Sequence, residues 1–533
     1  MPGVLSRRST VKLGAALAAG VAEGHGAAAR AAVRRGGKLV FARGADCQNL
    51  DPVQATAAAD LWLLPNLYDT LLAPRVGGGG FEPSLATGWT LAPDGLTLTL
   101  TLRPGVRFAD GRPLTPTDVA WSLDRARDPA NGPWARRLAA IVEVVAVGTD
   151  AITIRLGRPD PSLPAALAAV NAAIVPAGRV AAAPGGKLAQ QATADPVYPP
   201  GTGAFVIAEW KRGQVMVLRR NPYSWRRAAD RAPLPYLDLI ELPVVADETA
   251  RLAMVQSGAA LGAEFVPDAA VAALRARAAL RVETWPSTRV TCLVLNARPT
   301  LGKGRKNPMQ DVRVRRALNH AVDKQAIVAA ATAGLGQPMT SYMSKATPLH
   351  AGRREPYPFD LALAKKQLAE AGFASGFELT ALVEAANRSQ AQVVADVQRM
   401  WHAVGVTLKV EAAAPAVFAA RDRAGDFDLL VAAWSDPIAD PAPVTAAFAY
   451  SPDLGCLHSG WKDATVDALF RLTEVENDPA HRAAEYRKLQ EIYISEAPIV
   501  FLYETPFVTV WRQPVSGFVE RPLGAGLFAA VSL

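Results

Sequence analysis

The chain has 533 residues, which at about 150 residues per domain predicts three or four domain-sized units. Half of its residues are apolar and 20% are charged, a balance typical of a chain that buries a large core and not of a disordered one. The net charge is +8, but basic and acidic residues alternate instead of forming one basic stripe, which argues against nucleic-acid binding. No uncharged apolar run reaches the about 18 residues that a membrane span needs.

The first 32 residues have the features of an export signal. Arg7 and Arg8 precede the Ala/Gly-rich stretch Leu13–Ala22, and small residues at 27–32 offer cleavage positions. The arrangement resembles a twin-arginine signal. We therefore expect residues 1–32 to be a twin-arginine-type signal peptide and the mature chain to be periplasmic. The alternative is a basic terminus with no targeting role.

The next part of the chain, from about residue 75 to 200, is predicted to combine strands with a helix. Leu96–Leu102 alternates apolar and polar residues, as an antiparallel strand with one buried face does. Thr115 followed by Asp118 predicts a helix that begins with a capping box. Val144–Val147 and Ile152–Leu156 are predicted to form a hairpin.

Residues from about 290 to 500 are predicted to form a second α/β unit. Strands and helices alternate along the central part of this unit. This order implies parallel strand pairing with right-handed crossovers. Asp311 and Asp360 precede amphipathic stretches and are predicted to cap helices. The central elements are a strand at Leu379–Val383, a helix with apolar positions from Val393 to Val404, a strand at Val406–Val410, a helix at Ala416–Arg423 and a strand at Phe427–Trp434.

The loop after the last of these strands is the first candidate binding site. It runs from Ser435 to Pro441 and contains Asp436 and Asp440. In proteins with open parallel sheets, ligands bind at the carboxyl ends of the strands. We expect the two aspartates to hold a ligand ammonium group while Trp434 stacks on an apolar group. The alternative is that both aspartates only begin turns ahead of the prolines.

Motifs in a fixed order connect the chain with a known family. From about residue 38 to its end, the chain resembles the extracytoplasmic solute-binding proteins of ABC importers, in the family for peptides, nickel and opines (family 5). The motifs are Leu50-Asp51-Pro52, Tyr68-Asp69-Thr70-Leu71-Leu72, Gly88-Trp89, Leu102–Phe108, Gly201-Thr202-Gly203, Arg219–Tyr223, Asp311–Asn319 and Ala369–Phe373.

The resemblance implies an α/β fold of the periplasmic-binding-protein type II, with two lobes, an extra subdomain in lobe I and a ligand cleft between the lobes. Chain crossings near Thr284–Arg289 and Tyr503–Phe507 would be the hinge. The implied ranges are 36–74, 200–285 and 506–533 for lobe I, 75–199 for the extra subdomain and 286–505 for lobe II.

The resemblance also implies ligand contacts. In peptide-binding members an aspartate four residues before the proline of a Trp…Asp-Pro loop holds the peptide's amino group. In this chain Pro437 has that position and the carboxyl group is at Asp436. Trp434, Ser435, Asp436 and Asp440 are therefore the candidates in this loop.

Three further segments are candidates. Gly201, Thr202 and Gly203 resemble a segment whose backbone approaches the cleft, because glycines remove side-chain bulk; an ordinary turn is the alternative. Tyr68 either faces the cleft or is structural. Arg388, ahead of a helix, either pairs with a ligand carboxylate or is solvated.

The function implied by the resemblance is that of a non-catalytic receptor, which captures a peptide or similarly sized solute and delivers it to ABC permease subunits and their ATPase subunits. We expect no cofactor and no nucleic-acid partner. The sequence contains no H-E-x-x-H, G-x-S-x-G or P-loop motif. Its three cysteines and six histidines lack metal-site spacing, although His458 lies near Cys456. The alternatives are a secreted hydrolase that uses cleft carboxylates, and a surface or chaperone-like binding protein without a transport role.

Overall fold

Three large sheets organise the chain in the computed structural model, which describes residues 34–75, 80–178, 199–352, 354–385, 387–452 and 457–533. The predicted export signal lies outside the described residues. All three sheets belong to one compact unit, Arg35–Leu533. No helix among the described residues is both long and apolar enough to cross a bilayer.

A seven-stranded mixed sheet forms the centre of the part termed lobe I. In spatial order its strands are Leu280–Trp285, Phe507–Arg512, Gly262–Glu264, Lys38–Ala42, Leu239–Pro243, Val215–Arg220 and Phe205–Lys211. Its helices are Ala58–Leu63, Glu248–Ser257 and Val271–Arg275. Buried aromatic rings pack together on one face, where the centroids of Phe41 and Trp511 are 5.0 Å apart. The first and last segments of the chain therefore share one core.

A four-stranded antiparallel sheet forms the extra subdomain. Its strands, in spatial order, are Ala86–Leu91, Thr97–Leu102, Ala151–Leu156 and Ile141–Val147. The helix Pro116–Arg127 packs on it and begins with the predicted capping box, in which Thr115 Oγ1 accepts from Asp118 N at 3.3 Å. Both the alternating strand and the hairpin are confirmed. This part also contains 3-10 helices at Pro133–Leu138 and Val170–Ala172, a helix at Leu163–Ala168 and an antiparallel pair of Leu72–Pro74 with Phe81–Pro83.

A six-stranded sheet forms the centre of lobe II. In spatial order its strands are Gln337–Pro338, Ile499–Glu504, Val290–Leu295, Leu429–Trp434, Phe377–Glu384 and Val406–Ala413. Phe377–Glu384 pairs in parallel with both Val406–Ala413 and Leu429–Trp434, as predicted. Both faces of the sheet are buried: successive side chains of a strand point to opposite faces, and those of Val290–Leu295 enter two apolar cores. Leu293 belongs to one apolar core and Cys292 to the other.

Helices cover this sheet. They are Val312–His320, Lys324–Thr332, Leu361–Glu370, Arg388–His402, Pro415–Ala424, Ala442–Phe448, Ala464–Thr473 and Pro479–Glu496. The two predicted caps are confirmed, since Asp311 Oδ1 accepts from Arg313 N at 2.8 Å and Asp360 Oδ1 accepts from Leu363 N at 2.8 Å. Short two-stranded ladders pair Thr300–Leu301 with Arg305–Lys306 and Val519–Arg521 with Ala525–Leu527.

The chain passes between the two lobe sheets at two adjacent connections. Leu280–Trp285 leads into Val290–Leu295, and Ile499–Glu504 leads into Phe507–Arg512. The connections are bonded to each other: Thr505 N donates to Arg289 O at 3.2 Å, and Arg289 Nη2 donates to Pro506 O at 2.8 Å. This architecture confirms the predicted two-lobe fold, with the extra subdomain attached to lobe I.

Candidate functional site

A cleft lies where the loop after Leu429–Trp434 faces lobe I. It encloses about 1010 Å³ of empty space, including its open mouth. Asp436 and Pro437 line it from lobe II. The opposite side includes Tyr68, Asp69, Asn171, Ala204, Arg226 and Arg521. The structure thus places two of the predicted site residues, Asp436 and Tyr68, on the same cleft although 368 positions separate them in the sequence.

The carboxyl group of Asp436 is buried, with the residue 4% exposed. Thr347 Oγ1 donates to its Oδ2 at 2.6 Å, and Trp434 Nε1 donates to its Oδ1 at 2.9 Å. Its backbone N donates to Thr288 Oγ1 at 2.9 Å. These contacts fix the orientation of the carboxyl group relative to the strand end and to the first connection between the lobes.

Burial raises the pKa of Asp436 to about 7. The two hydrogen bonds oppose this shift, the charge of Asp440 adds to it, and the charge of Arg137 opposes it. The group is therefore close to half ionised at neutral pH. An ammonium group at the carboxyl would favour its charged form and form a charge-assisted hydrogen bond in a place shielded from water.

Asp440 has a different environment from Asp436. Arg482 binds it with two hydrogen bonds, Nη1 to Oδ2 at 2.7 Å and Nη2 to Oδ1 at 2.9 Å. Ala442 N donates to Oδ1 at 2.9 Å. Both side chains of the ion pair are less than 10% exposed, and Asp440 is absent from the residues that line the cleft. Its contacts tie the start of helix Ala442–Phe448 to helix Pro479–Glu496.

The Gly201-Thr202-Gly203 segment packs behind Tyr68. A Cβ atom on Gly201 or Gly203 would come within 3.0 Å of the Leu67 backbone, so no other residue fits either position without a shift. Thr202 is fully buried, and its Oγ1 donates to Asp69 Oδ2 at 2.9 Å. The segment supports the wall of the cleft, and the next residue, Ala204, lines it.

The remaining predicted residues lie in different places. Ser435 is exposed beside Asp436. Trp434 is half-buried, stands edge-on to Phe448 with 6.0 Å between ring centroids, and lines a second cavity. Arg388 is exposed at the first position of helix Arg388–His402 and is not a lining residue of the cleft. The structure therefore brings Asp436 to Tyr68 but does not bring Arg388 to them.

Two arginines of the cleft have no counterpart in the sequence-based prediction. Arg226 forms an ion pair with Asp69, which also accepts from Trp225 Nε1 at 2.8 Å. Arg521 lies in the hairpin near the end of the chain, 3.4 Å from Glu82. Arg226 closely follows the Arg219–Tyr223 motif, which is a usable signal. No pattern in the sequence singles out Arg521.

The described residues contain no group of three or more His, Cys, Asp or Glu side chains placed to hold a metal ion. His458 Nδ1 is 3.0 Å from Asp422 Oδ1. Cys456, its neighbour in sequence, lies outside the described residues. Cys47 and Cys292 are buried free thiols, and burial raises the pKa of Cys47 to about 11.

Comparisons with known proteins agree with this fold. A sequence model described as "Bacterial extracellular solute-binding proteins, family 5 Middle" matches residues 80–455. Heme-binding protein A of Haemophilus influenzae is 26% identical over 491 residues, covering 88% of this chain and 87% of that protein. The glutathione-binding protein GsiB of Escherichia coli (strain K12) is 27% identical over 502 residues, covering 91% of this chain and 92% of that protein.

A solved structure extends the comparison to three dimensions. The ABC transporter-associated periplasmic binding protein DppA from Helicobacter pylori, in complex with the peptide STSA, superposes with a TM-score of 0.73 at 25% identity. The superposition covers 94% of this chain and 98% of that chain. The likeness therefore extends over the two lobes and the extra subdomain together.

Proposed function

The chain belongs to the bacterial extracellular solute-binding proteins of family 5, and from that premise we propose that it is the substrate-binding component of an ABC importer. It captures a peptide or similarly sized solute outside the cytoplasmic membrane and delivers it to permease subunits that work with ATPase subunits. One observation carries the proposal: Asp436 of lobe II and Tyr68 of lobe I line a single cleft.

The similar proteins support a solute of this size. They are named for heme and for glutathione, and the solved structure contains a peptide of four residues. Glutathione and peptides carry an amino group, which is the group that a buried carboxyl such as that of Asp436 recognises. We propose Asp436 and Tyr68 as direct solute contacts, with Trp434 stacking against an apolar part of the solute.

The two lobes give the receptor its mechanism. A solute that contacts both lobes gains all its contacts only when the cleft is closed, so binding shifts the protein towards the closed state. The connections at 284–289 and 503–507 are the proposed hinge, between lobe I at 36–74, 200–285 and 506–533 and lobe II at 286–505. A micromolar dissociation constant for the solute would correspond to a binding free energy of about −8 kcal/mol.

Export places the receptor where the solute is. We propose that residues 1–32 are a twin-arginine-type signal peptide, on the strength of Arg7 and Arg8 ahead of an apolar stretch. The mature chain then works in the periplasm. Fusion of residues 1–32 to a reporter, with Arg7→Lys and Arg8→Lys as the altered pair, tests this: export of the reporter should stop when both arginines are replaced.

Native mass spectrometry of the mature protein, purified without refolding, tests the proposed function. The expected result is one solute for each chain, recovered chemically unchanged after release and rebinding. Recovery of cleaved products after incubation would favour a secreted hydrolase. If the protein binds a solute saturably but deletion of the gene leaves uptake of that solute by the cell unchanged, a binding protein without a transport role would be favoured.

A further inference from the structure

A second cavity lies between the extra subdomain and lobe II. It contains about 1790 Å³ of empty space, including its mouth, and is termed here the arginine cavity because Arg136, Arg137, Arg158 and Arg471 line it. Trp434 also lines it. Its Nε1 donates a hydrogen bond to Asp436, which lines the cleft, so the two cavities lie on neighbouring residues.

Positive charge prevails in the arginine cavity. Within the part of the chain that the structure describes, Arg136 and Arg471 have no hydrogen-bond or ion-pair partner for their exposed guanidinium groups. The acidic residues that line the cavity are Asp160 and Glu474. Asp160 accepts a hydrogen bond from Ser162 Oγ at 2.7 Å. Burial raises the pKa of Glu474 to about 7, so its charge is partial at neutral pH. Four arginines and two acidic residues, Asp160 and Glu474, thus line the arginine cavity.

The wall that lobe II contributes to the arginine cavity is largely apolar, with His458, Arg471 and Glu474 as its polar members. Helix Ala442–Phe448 presents small residues to it, and aromatic rings extend the surface. The apolar lining residues include Ala442, Pro443, Ala446, Ala447, Trp434 and Phe470. A group that fits this cavity therefore combines negative charge with an apolar body.

We propose that the arginine cavity binds a carboxylate group of the captured solute, with Arg136 and Arg158 as its anchors and the apolar wall against the rest of the solute. The inference rests on the proposed function and names the solute class as one that carries a carboxylate. The guanidinium fork matches a carboxylate with two parallel hydrogen bonds, and a cleft lined by one sign of charge attracts the opposite charge.

The cleft that Asp436 lines is less suited to a carboxylate. Its Arg226 is already paired with Asp69, and its Arg521 lies 3.4 Å from Glu82. Asp436 on that side favours a cation instead. A solute that reaches both cavities would therefore direct its ammonium group towards Asp436 and its carboxylate towards the arginines.

Two matched variants test the assignment. Arg136→Gln combined with Arg158→Gln removes two anchors, both exposed, so the fold should keep its thermal midpoint. Arg155→Gln is the control, because Arg155 lies in the sheet of the same subdomain, has a side chain that is 62% exposed, pairs with Glu143 at 2.9 Å and does not line the cavity. Each protein is mixed with di- to pentapeptides bearing free carboxyl termini or with the same peptides amidated, and retained masses are counted by native mass spectrometry.

The expected result is at least a tenfold preference for the free acids in the wild type and in Arg155→Gln. The preference should fall at least fivefold in the double variant. Equal retention of acids and amides by the wild type, or an unchanged preference in the double variant, would overturn the carboxylate assignment and leave the proposed function standing. Retention of neither mixture would contradict the peptide-like solute of the proposed function and the assignment with it.

Discussion

The indole Nε1 of Trp434 donates a 2.9 Å hydrogen bond to Asp436 Oδ1. The last residue of a buried strand thus holds the carboxyl group that faces the cleft, while Thr347 holds the other oxygen. A carboxylate has about four acceptor sites, so a solute can still bind there. If the solute binds Asp436 as proposed, the geometry is set before it arrives, which lowers the entropy lost on binding.

Asp436→Asn should weaken binding of a solute with a free ammonium group by more than tenfold. A hydrogen bond to a charged group contributes about 1.5–3 kcal/mol, and about 1.4 kcal/mol is a factor of ten in affinity. Calorimetric titration with the solute and with its N-acetylated form checks this, with Asp124→Asn as a control on the exposed face of helix Pro116–Arg127. Equal affinity in the wild type and in Asp436→Asn would remove Asp436 from the site.

The stability of the solute-free protein should depend on pH through Asp436. Its pKa is about 7 when folded and close to 3.8 when unfolded, so between these values the folded state holds an extra proton and stability falls as pH rises. From pH 5 to pH 8 this amounts to about 2–3 kcal/mol, at about 1.4 kcal/mol per unit.

The amide of the Asp436→Asn variant does not ionise between pH 5 and pH 8. The free energy of unfolding of this variant should therefore fall less over the same interval. Urea denaturation of both proteins at pH 5 and pH 8 measures the difference. Since Glu474 and Glu520 also have raised pKa values, only the difference between the two proteins is diagnostic. Parallel pH profiles would show that Asp436 is ionised throughout.

The elements of the fold follow closely from the sequence because their signals are local. The capping box at Thr115 and the parallel strands of lobe II were predictable from residue type and spacing within about ten positions. The site was harder to predict. Asp436 could be found because loops after parallel strands meet at one edge, but its distance from Tyr68 along the chain gives no pattern to detect.

Asp440 illustrates why the rest of the site could not be predicted. In the sequence it is equivalent to Asp436, since each aspartate precedes a proline in the same loop. The difference arises from Arg482, which comes from a helix 42 positions later and occupies both carboxyl oxygens of Asp440. Only the packing of that helix decides which aspartate remains open to a ligand.

Asp440→Asn should therefore destabilise the protein without changing its solute affinity. Removal of one partner of a buried ion pair leaves a charge without compensation and costs about 3–5 kcal/mol. Thermal unfolding measures the loss, and calorimetry well below the midpoint measures the affinity. The double variant with Arg482→Met, which removes the stranded charge, should recover part of the stability. A solute affinity that falls tenfold in folded Asp440→Asn would contradict this structural role.

Gly203→Ala should destabilise the wall of the cleft. The added Cβ would meet the Leu67 backbone within 3.0 Å, and such overpacking costs about 1–3 kcal/mol. Gly88→Ala is the matched control, since a Cβ there meets nothing within 4 Å and its φ is not in the left-handed region. Chemical denaturation compares the two. If both variants lose the same free energy of unfolding, the close approach of the Gly203 backbone to Leu67 is not the reason for a glycine at this position.

The central claim is that the solute is held between two lobes that close on it. Small-angle X-ray scattering of the mature protein, first freed of solute and then saturated with the solute released from it, tests this claim most directly. A smaller radius of gyration in the saturated protein, with a smaller change at the same solute concentration in Asp436→Asn, is the predicted result. An unchanged radius of gyration in wild-type protein that calorimetry shows to be saturated would contradict closure of the lobes on the solute.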